Sequence, residues 1–146
     1  MKLTLAIVGF LLFAIQWIPV DRSQRPEPAP LEAEPEIKSI LERSCFDCHS
    51  NRSQWPFYSY ISPISLFVER HIQEGREELN FSEWESLSLK KKATYAGSIR
   101  ESIEEGEMPL FSYTILHRNA ILSETDRKTL IQWTERIENE YDKESE

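Results

Sequence analysis

The sequence predicts an all-α domain, and three observations carry that prediction. Every segment long enough to judge repeats its apolar residues with a helical period, and none alternates as a strand does. Helix start and stop signals recur at matching places: Ser62 with Pro63, Ser82-Glu-Trp-Glu85, Gly106, and Ser123-Glu-Thr-Asp126. The pentapeptide Cys45-Phe-Asp-Cys-His49 sets two thiols on one side of the chain only if it forms a helical turn.

The chain opens with an apolar run, Leu3 to Val20, interrupted by Thr4, Gln16 and Pro19. As one helix it would extend about 27 Å, close to the ~30 Å hydrocarbon core of a bilayer. A cleaved signal peptide has a similar composition, but Ile18-Pro-Val20 offers no small-x-small cleavage site, and Trp17 suits an interfacial anchor. Residues 1–20 are therefore expected to be a transmembrane signal anchor, with a removed signal peptide as the alternative. The membrane is then a partner, and the bulk of the chain lies outside the cytoplasm. Residues 21–35 hold four prolines among acidic neighbours and read as an extended tether that spaces the domain from the membrane.

The domain itself is expected over 36–141. Its first helix starts at Pro35, a residue suited to a first turn, and carries Ile37, Ile40 and Leu41 on one face towards Cys45. An aromatic loop follows, Trp55 to Tyr60. The second helix has Ser62 as cap and Pro63 at its first position, buries Ile64, Phe67, Val68 and Ile72, and ends near Gly75. Ser82 to Glu85 matches a capping box, opening a helix to about Glu105 with Leu89, Ala93, Ala96, Ile99 and Ile103 on one side. Gly106 closes it. The box at Ser123 opens the last helix, striped by Leu130, Trp133, Ile137 and Tyr141, and residues 142–146 form an acidic tail.

Twenty-five acidic residues against 17 basic give a net charge of −8, which argues against a nucleic-acid partner. The only two cysteines are Cys45 and Cys48, so no disulfide framework is expected. Their spacing, with His49 directly after, is the attachment pattern for a c-type haem. Both thiols add to porphyrin vinyl groups as thioethers, and the imidazole becomes the proximal iron ligand. Two other readings compete. A structural zinc site lacks a second ligand pair, since His71 and His117 lie far off in sequence. A thioredoxin-type dithiol wants a strand feeding a helix, and nothing upstream of Cys45 resembles one.

Iron held by His49 needs a second axial ligand or leaves its sixth position open. Apart from the start residue, Met108 is the sole methionine, in the loop Glu105-Gly-Glu-Met-Pro-Leu-Phe111. The following proline holds Met108 out of helix, so its thioether can point across a ring; the plain alternative is a gap-filling core methionine. His71 is the runner-up ligand, although a histidine on the apolar face of a helix is more often a satisfied core residue. His117 is expected to make a structural hydrogen bond to backbone or to a haem propionate. Arg52, Trp55, Tyr58 and Arg70 are candidate propionate donors.

The chain resembles the monohaem c-type cytochromes in having this motif at the end of a first helix, a Met-Pro loop some way on, and a closing helix. It resembles more closely a family of small membrane-anchored haem-binding domains of bacterial envelopes, over roughly Ile37 to Trp133. The matching stretches are Cys45 to Ser50, Trp55-Pro56, Glu74-Gly-Arg-Glu-Glu-Leu-Asn-Phe-Ser-Glu-Trp84, Glu105 to Pro109, Leu116-His117, and Leu122-Ser123 on to Trp133. One departure is Arg118, where the pattern has proline. The resemblance implies a small cytochrome c-like helical domain around one covalent haem c, facing the periplasm from the inner membrane. It names no reaction.

Two functions follow from the site as read. A one-electron carrier tethered to the membrane, not itself an enzyme, would use a His49/Met108 pair and unidentified redox partner proteins. A haem-based sensor or peroxidase-like domain would instead keep an open sixth position, with His71 or His117 acting beside it. The stretch Gly75 to Trp84 belongs to no ordinary cytochrome c and is either a packing signature or a site of its own.

Overall fold

The computed structural model describes residues 1–145, and these form helices and connecting loops with no strand among them. Seven α-helices follow in order: α1 (Lys2–Ala14), α2 (Pro35–Ser44), α3 (Phe46–His49), α4 (Ile64–Glu78), α5 (Leu89–Glu104), α6 (Phe111–Thr114) and α7 (Glu124–Ser145). The all-α expectation holds.

The expected membrane-spanning helix does not. The apolar run forms α1, about 20 Å long, and a 3-10 turn over Ile15–Trp17. Among the described residues no helix is long and apolar enough to cross a membrane. Pro19 excludes helical backbone for the residue before it, and Ile18 is extended at φ −69°, ψ 120°. Gln16 also turns aside: its side chain donates to the Ser62 carbonyl and accepts from the Ser62 N–H, both at 2.9 Å.

The proline-rich segment is extended as expected, but it is bonded to the domain along much of its length. Leu31 donates to the Phe81 carbonyl and Ala29 to that of Ser82, while Glu85 donates back to Ala29. Asn51 reaches the Pro26 carbonyl, Glu27 accepts from Ser82 and pairs with Arg52, and Leu31 is buried in the core. The N–H groups that pair are those of Ala29 and Leu31, which alternate with Pro28 and Pro30, residues with no N–H to leave unsatisfied.

Two helix starts differ from the sequence reading. Ser82 does not cap a helix, because its hydroxyl is already committed between Asn51 N–H and Glu27. Asn80 instead caps a 3-10 turn over Phe81–Ser86, and Ser88 caps α5 by accepting from Lys91 N–H. On α4, Ile64 and Phe67 are exposed, and Ile72 is the buried apolar residue. That helix runs a turn past Gly75.

Other signals are borne out. Gly106 takes φ +73°, and Glu107 and Met108 N–H groups both return to the Ser102 carbonyl, closing α5. Ser123 and Asp126 cap α7 reciprocally, with Asp126 also paired to Arg43 at 2.5 Å. The hydrogen bonds hold the Asp126 carboxyl below its ordinary value against the opposing effect of desolvation. The acidic tail is part of α7 as far as Ser145, and Glu146 lies outside the described residues.

The core joins these pieces behind the Cys-x-x-Cys-His turn. Ile37, Ile40 and Leu41 of α2 meet Ile103, Leu122, Leu130 and Trp133. An aromatic ladder runs through it: Phe46 on Phe81 at 5.3 Å, Phe81 on Trp84 at 5.8 Å, Trp84 on Trp133 at 5.8 Å. Phe46 is one of the two residues between the cysteines, so the motif is anchored through its own interior.

Candidate haem site

Cys45 breaks the helix between α2 and α3, and the turn that follows is closed by the N–H groups of Cys48 and His49 returning to the Cys45 carbonyl. Both sulfur-bearing residues and His49 line one cavity of about 510 Å³. That is within the ~300–1,000 Å³ range of small-molecule and cofactor sites. Its walls come from α2 (Leu41, Ser44), α3 (Cys48, His49), α4 and the residue after it (His71, Gly75, Leu79), α5 (Tyr95, Ile99, Ser102, Ile103) and the loop with Met108, Pro109 and Leu110. The structure thus brings together Cys45, Cys48, His49, His71 and Met108, residues spread from position 45 to position 108 of the sequence.

His49 is oriented from α4. Its Nδ1 lies 2.8 Å from the Gly75 carbonyl oxygen and 3.1 Å from that of Leu79. Both partners are acceptors, so Nδ1 carries the proton and Nε2 keeps its lone pair, the state an iron ligand needs. Burial holds the imidazole below its ordinary value despite those carbonyls and Glu78. In cofactor-free protein a buried neutral imidazole makes the unfolded chain the better proton binder below about pH 6.5. Apo-protein stability should therefore rise with pH from the depressed folded value to about 6.5, then level off, as thermal melts across pH would read.

Gly75 explains why α4 comes so near. A Cβ there would sit 3.0 Å from the Cys48 carbonyl oxygen and 3.2 Å from the Cys48 Cβ. Backbone on that side cannot swing away as a flexible side chain can. Gly75→Ala should accordingly cost about 1–3 kcal/mol in denaturant melts, and should loosen the bond that aims His49. Arg76 and Asn80 complete the support. Arg76 donates to the Ser50 carbonyl at 2.8 Å and to Ser53 Oγ at 3.0 Å, and Asn80 donates to Asn51. The stretch Gly75 to Trp84 thus braces the Cys45–His49 turn, which is the packing role among the two alternatives that the sequence left open.

Asp47, the other residue between the cysteines, accepts from Gln54 N–H and from the Tyr113 hydroxyl at 2.7 Å. Tyr113 stacks on the His117 ring at 4.2 Å, and His117 Nε2 pairs with the Tyr58 hydroxyl at 2.7 Å. His117 was expected to bond backbone or propionate; its partner is a phenol. The four named propionate donors are not among the cavity's lining residues. Arg52 pairs with Glu27, Arg70 with Glu74, Tyr58 with His117, and Trp55 lies under Arg22. Sequence proximity missed this because each of the four is engaged by another side chain of the protein.

The remaining groups fit a large, mainly apolar guest. The Ser44 hydroxyl lines the cavity and is buried without any hydrogen-bond partner. An orphan of this kind costs about 1–3 kcal/mol unless a bound group satisfies it. His71 donates Nδ1–H to the Phe67 carbonyl, leaving its Nε2 lone pair free, and it stands on the cavity side of α4, not against the core. Met108 also lines the cavity and is 36 % exposed, too open for a gap-filling core methionine. As free thiols the cysteines suit redox exchange poorly. Burial pushes Cys45 up to about 12 and Cys48 up to about 11, whereas a reactive dithiol needs a lowered value. Among the described residues no cluster of three or more His, Cys, Asp or Glu is arranged to hold a metal ion, so the zinc reading gains no second ligand pair.

Nothing among curated proteins and nothing among solved structures matches the chain. Compared with known families, it matches the haem-binding domain over residues 10–136, nearly its whole length. The match covers the Cys45–His49 turn, its α4 bracing, the Met108 loop and the start of the last helix together, and on that extent the chain belongs to the haem-binding domain family.

Proposed function

We propose that the protein is a monohaem c-type cytochrome domain that carries single electrons on the extracytoplasmic side of a membrane. The observation that carries the reading is the convergence of Cys45, Cys48, His49 and Met108 on one apolar cavity. When bound there, haem supplies a one-electron iron couple. Cys45 and Cys48 would hold it covalently, and His49 would offer Nε2, its other nitrogen being tied to the Gly75 and Leu79 carbonyls. Met108 would be the second residue to hold the iron, which favours a higher potential than a second histidine would. The apolar lining would limit the access of water to the bound group.

The test is the absorption spectrum of purified protein from an envelope expression host. Low-spin iron in both states, with no carbon monoxide adduct of the ferrous form, is the expected result. A high-spin ferric spectrum with ready carbon monoxide binding would overturn it. The second reading, a ligand-binding sensor or peroxidase-like domain, is favoured by one observation: His71 lines the same cavity with its Nε2 uncommitted.

Placement in the bacterial envelope, facing the periplasm and held to the inner membrane by residues 1–20, is part of this proposal. The exposed apolar side chains of α1 support it, since none of its residues is buried against protein. Terminal sequencing of membrane-extracted protein should return the chain from its first residues, and a mature chain starting near Asp21 in the soluble fraction would refute the anchor.

A further inference from the structure

Ile61, in extended backbone just before α4, is followed on the helix by Ile64, Phe67 and His71 at spacings of three and four, which share one face. The first three are 53 %, 45 % and 55 % exposed, and beside them Phe57 and Tyr60 are 81 % and 61 % exposed. Single exposed apolar residues are ordinary; five within residues 57–67 make a contiguous patch of the kind that marks a binding surface.

What covers the patch is indicated by what is fastened to it. The Gln16 carboxamide clasps both backbone groups of Ser62, between Ile61 and Ile64, and so fixes the end of α1 there. α1 is apolar all round and has no protein cover. A helix of that composition outside a core belongs in lipid. Trp17 stands exposed at the junction. Arg22 adds a charge: its guanidinium lies 4.5 Å from the Tyr60 ring and 5.5 Å from that of Trp55, donates to the Ser59 carbonyl at 2.6 Å, and pairs with no carboxylate among the described residues. Trp, Tyr and an uncompensated cation beside an apolar surface is the composition of a headgroup zone.

We infer that the Phe57–Phe67 face lies on the phosphate-bearing headgroup layer of a lipid bilayer, with α1 inserted beside it and Arg22 turned to lipid phosphate. This rests on the membrane reading of α1 and deepens it, because the domain is fixed against the surface instead of swinging on a tether. The Phe67 and His71 rings are 4.1 Å apart and His71 lines the cavity, so the docked face adjoins the α4 wall of that cavity.

The full-length holoprotein can be tested in vesicles of phosphatidylethanolamine and phosphatidylglycerol with nitroxide labels at single introduced cysteines, both native thiols being in thioether linkage. Labels at Phe57→Cys and Ile64→Cys should collide more with dissolved oxygen than with a water-soluble nickel chelate, and a label at Lys90→Cys on α5 should do the reverse. Adding Arg22→Ala and Phe67→Ser should return the Ile64 label towards water. If a label at Phe10→Cys in α1 is lipid-exposed while Phe57 and Ile64 labels stay in water, the docked face is overturned and the anchor stands. If the Phe10 label is also in water, the membrane reading fails with it. Broadening that vanishes on dilution with unlabelled protein would make the occupant a second copy and overturn the lipid assignment.

Discussion

Protein carrying Cys45→Ala and Cys48→Ala should have the mass of the bare polypeptide, whereas the parent expressed in a bacterial envelope should exceed it by one haem that survives acid and organic extraction. The reason is geometric as well as chemical: both residues line one cavity wall and are closed into a single turn by the bonds of Cys48 and His49 to the Cys45 carbonyl. The effect on folding should be as large as the effect on attachment. Emptying about 510 Å³ would cost, at ~24 cal/mol per Å³, roughly 12 kcal/mol as an upper bound for a cavity with a mouth. That rivals the whole stability of a domain this size. The double variant should therefore lose near-ultraviolet dichroism and protease resistance while keeping part of its helical signal. A parent protein whose mass equals the bare chain would refute covalent attachment, and a double variant that melts like the parent would show that the guest does not hold the fold together.

The parts of this structure that were legible in the sequence are those with local causes. Helix stripes, the reciprocal cap at Ser123 and Asp126, and the glycine stop at Gly106 each depend on residues within a few positions, and each is present. Ser82 failed as a cap for a non-local reason: its hydroxyl serves Asn51 and Glu27, partners tens of residues away. The same holds for the end of the apolar run, where the Gln16 side chain bonds Ser62, far off in sequence. In the site, the turn at Cys45–His49 could be read because it lies within five consecutive residues. Its orientation could not. The Gly75 and Leu79 groups that aim His49 are backbone carbonyls, which no side-chain pattern displays, and only the glycine that permits the approach leaves a mark. Ile64 and Phe67, exposed on α4, were misread as core for a related reason. A helical period gives a face but not what lies against it.

Met108→Ala should be the substitution that decides the functional class. If its thioether is the second axial ligand, the ferric parent is low-spin and shows a weak far-red sulfur-to-iron band. The variant should lose the band, fall in reduction potential and bind carbon monoxide or cyanide. The loop around Met108 is fixed independently of the side chain, by Gly106 and by the return of Glu107 and Met108 N–H groups to Ser102. The fold should thus survive the change, at a cost below the ~2–5 kcal/mol of a fully buried Met→Ala, since Met108 is 36 % exposed. His71→Ala should keep the far-red band, because His71 then only lines the wall, with its Nδ1 on the Phe67 carbonyl. The opposite pattern, an unchanged spectrum in Met108→Ala and high-spin iron in His71→Ala, would make His71 the ligand, lower the potential and remove the case for a high-potential carrier. If neither variant alters the iron and the ferrous parent already binds carbon monoxide, the sixth position is open. The uncommitted Nε2 of His71 would then stand beside a small-ligand site, and the sensor or peroxidase reading would replace electron transfer.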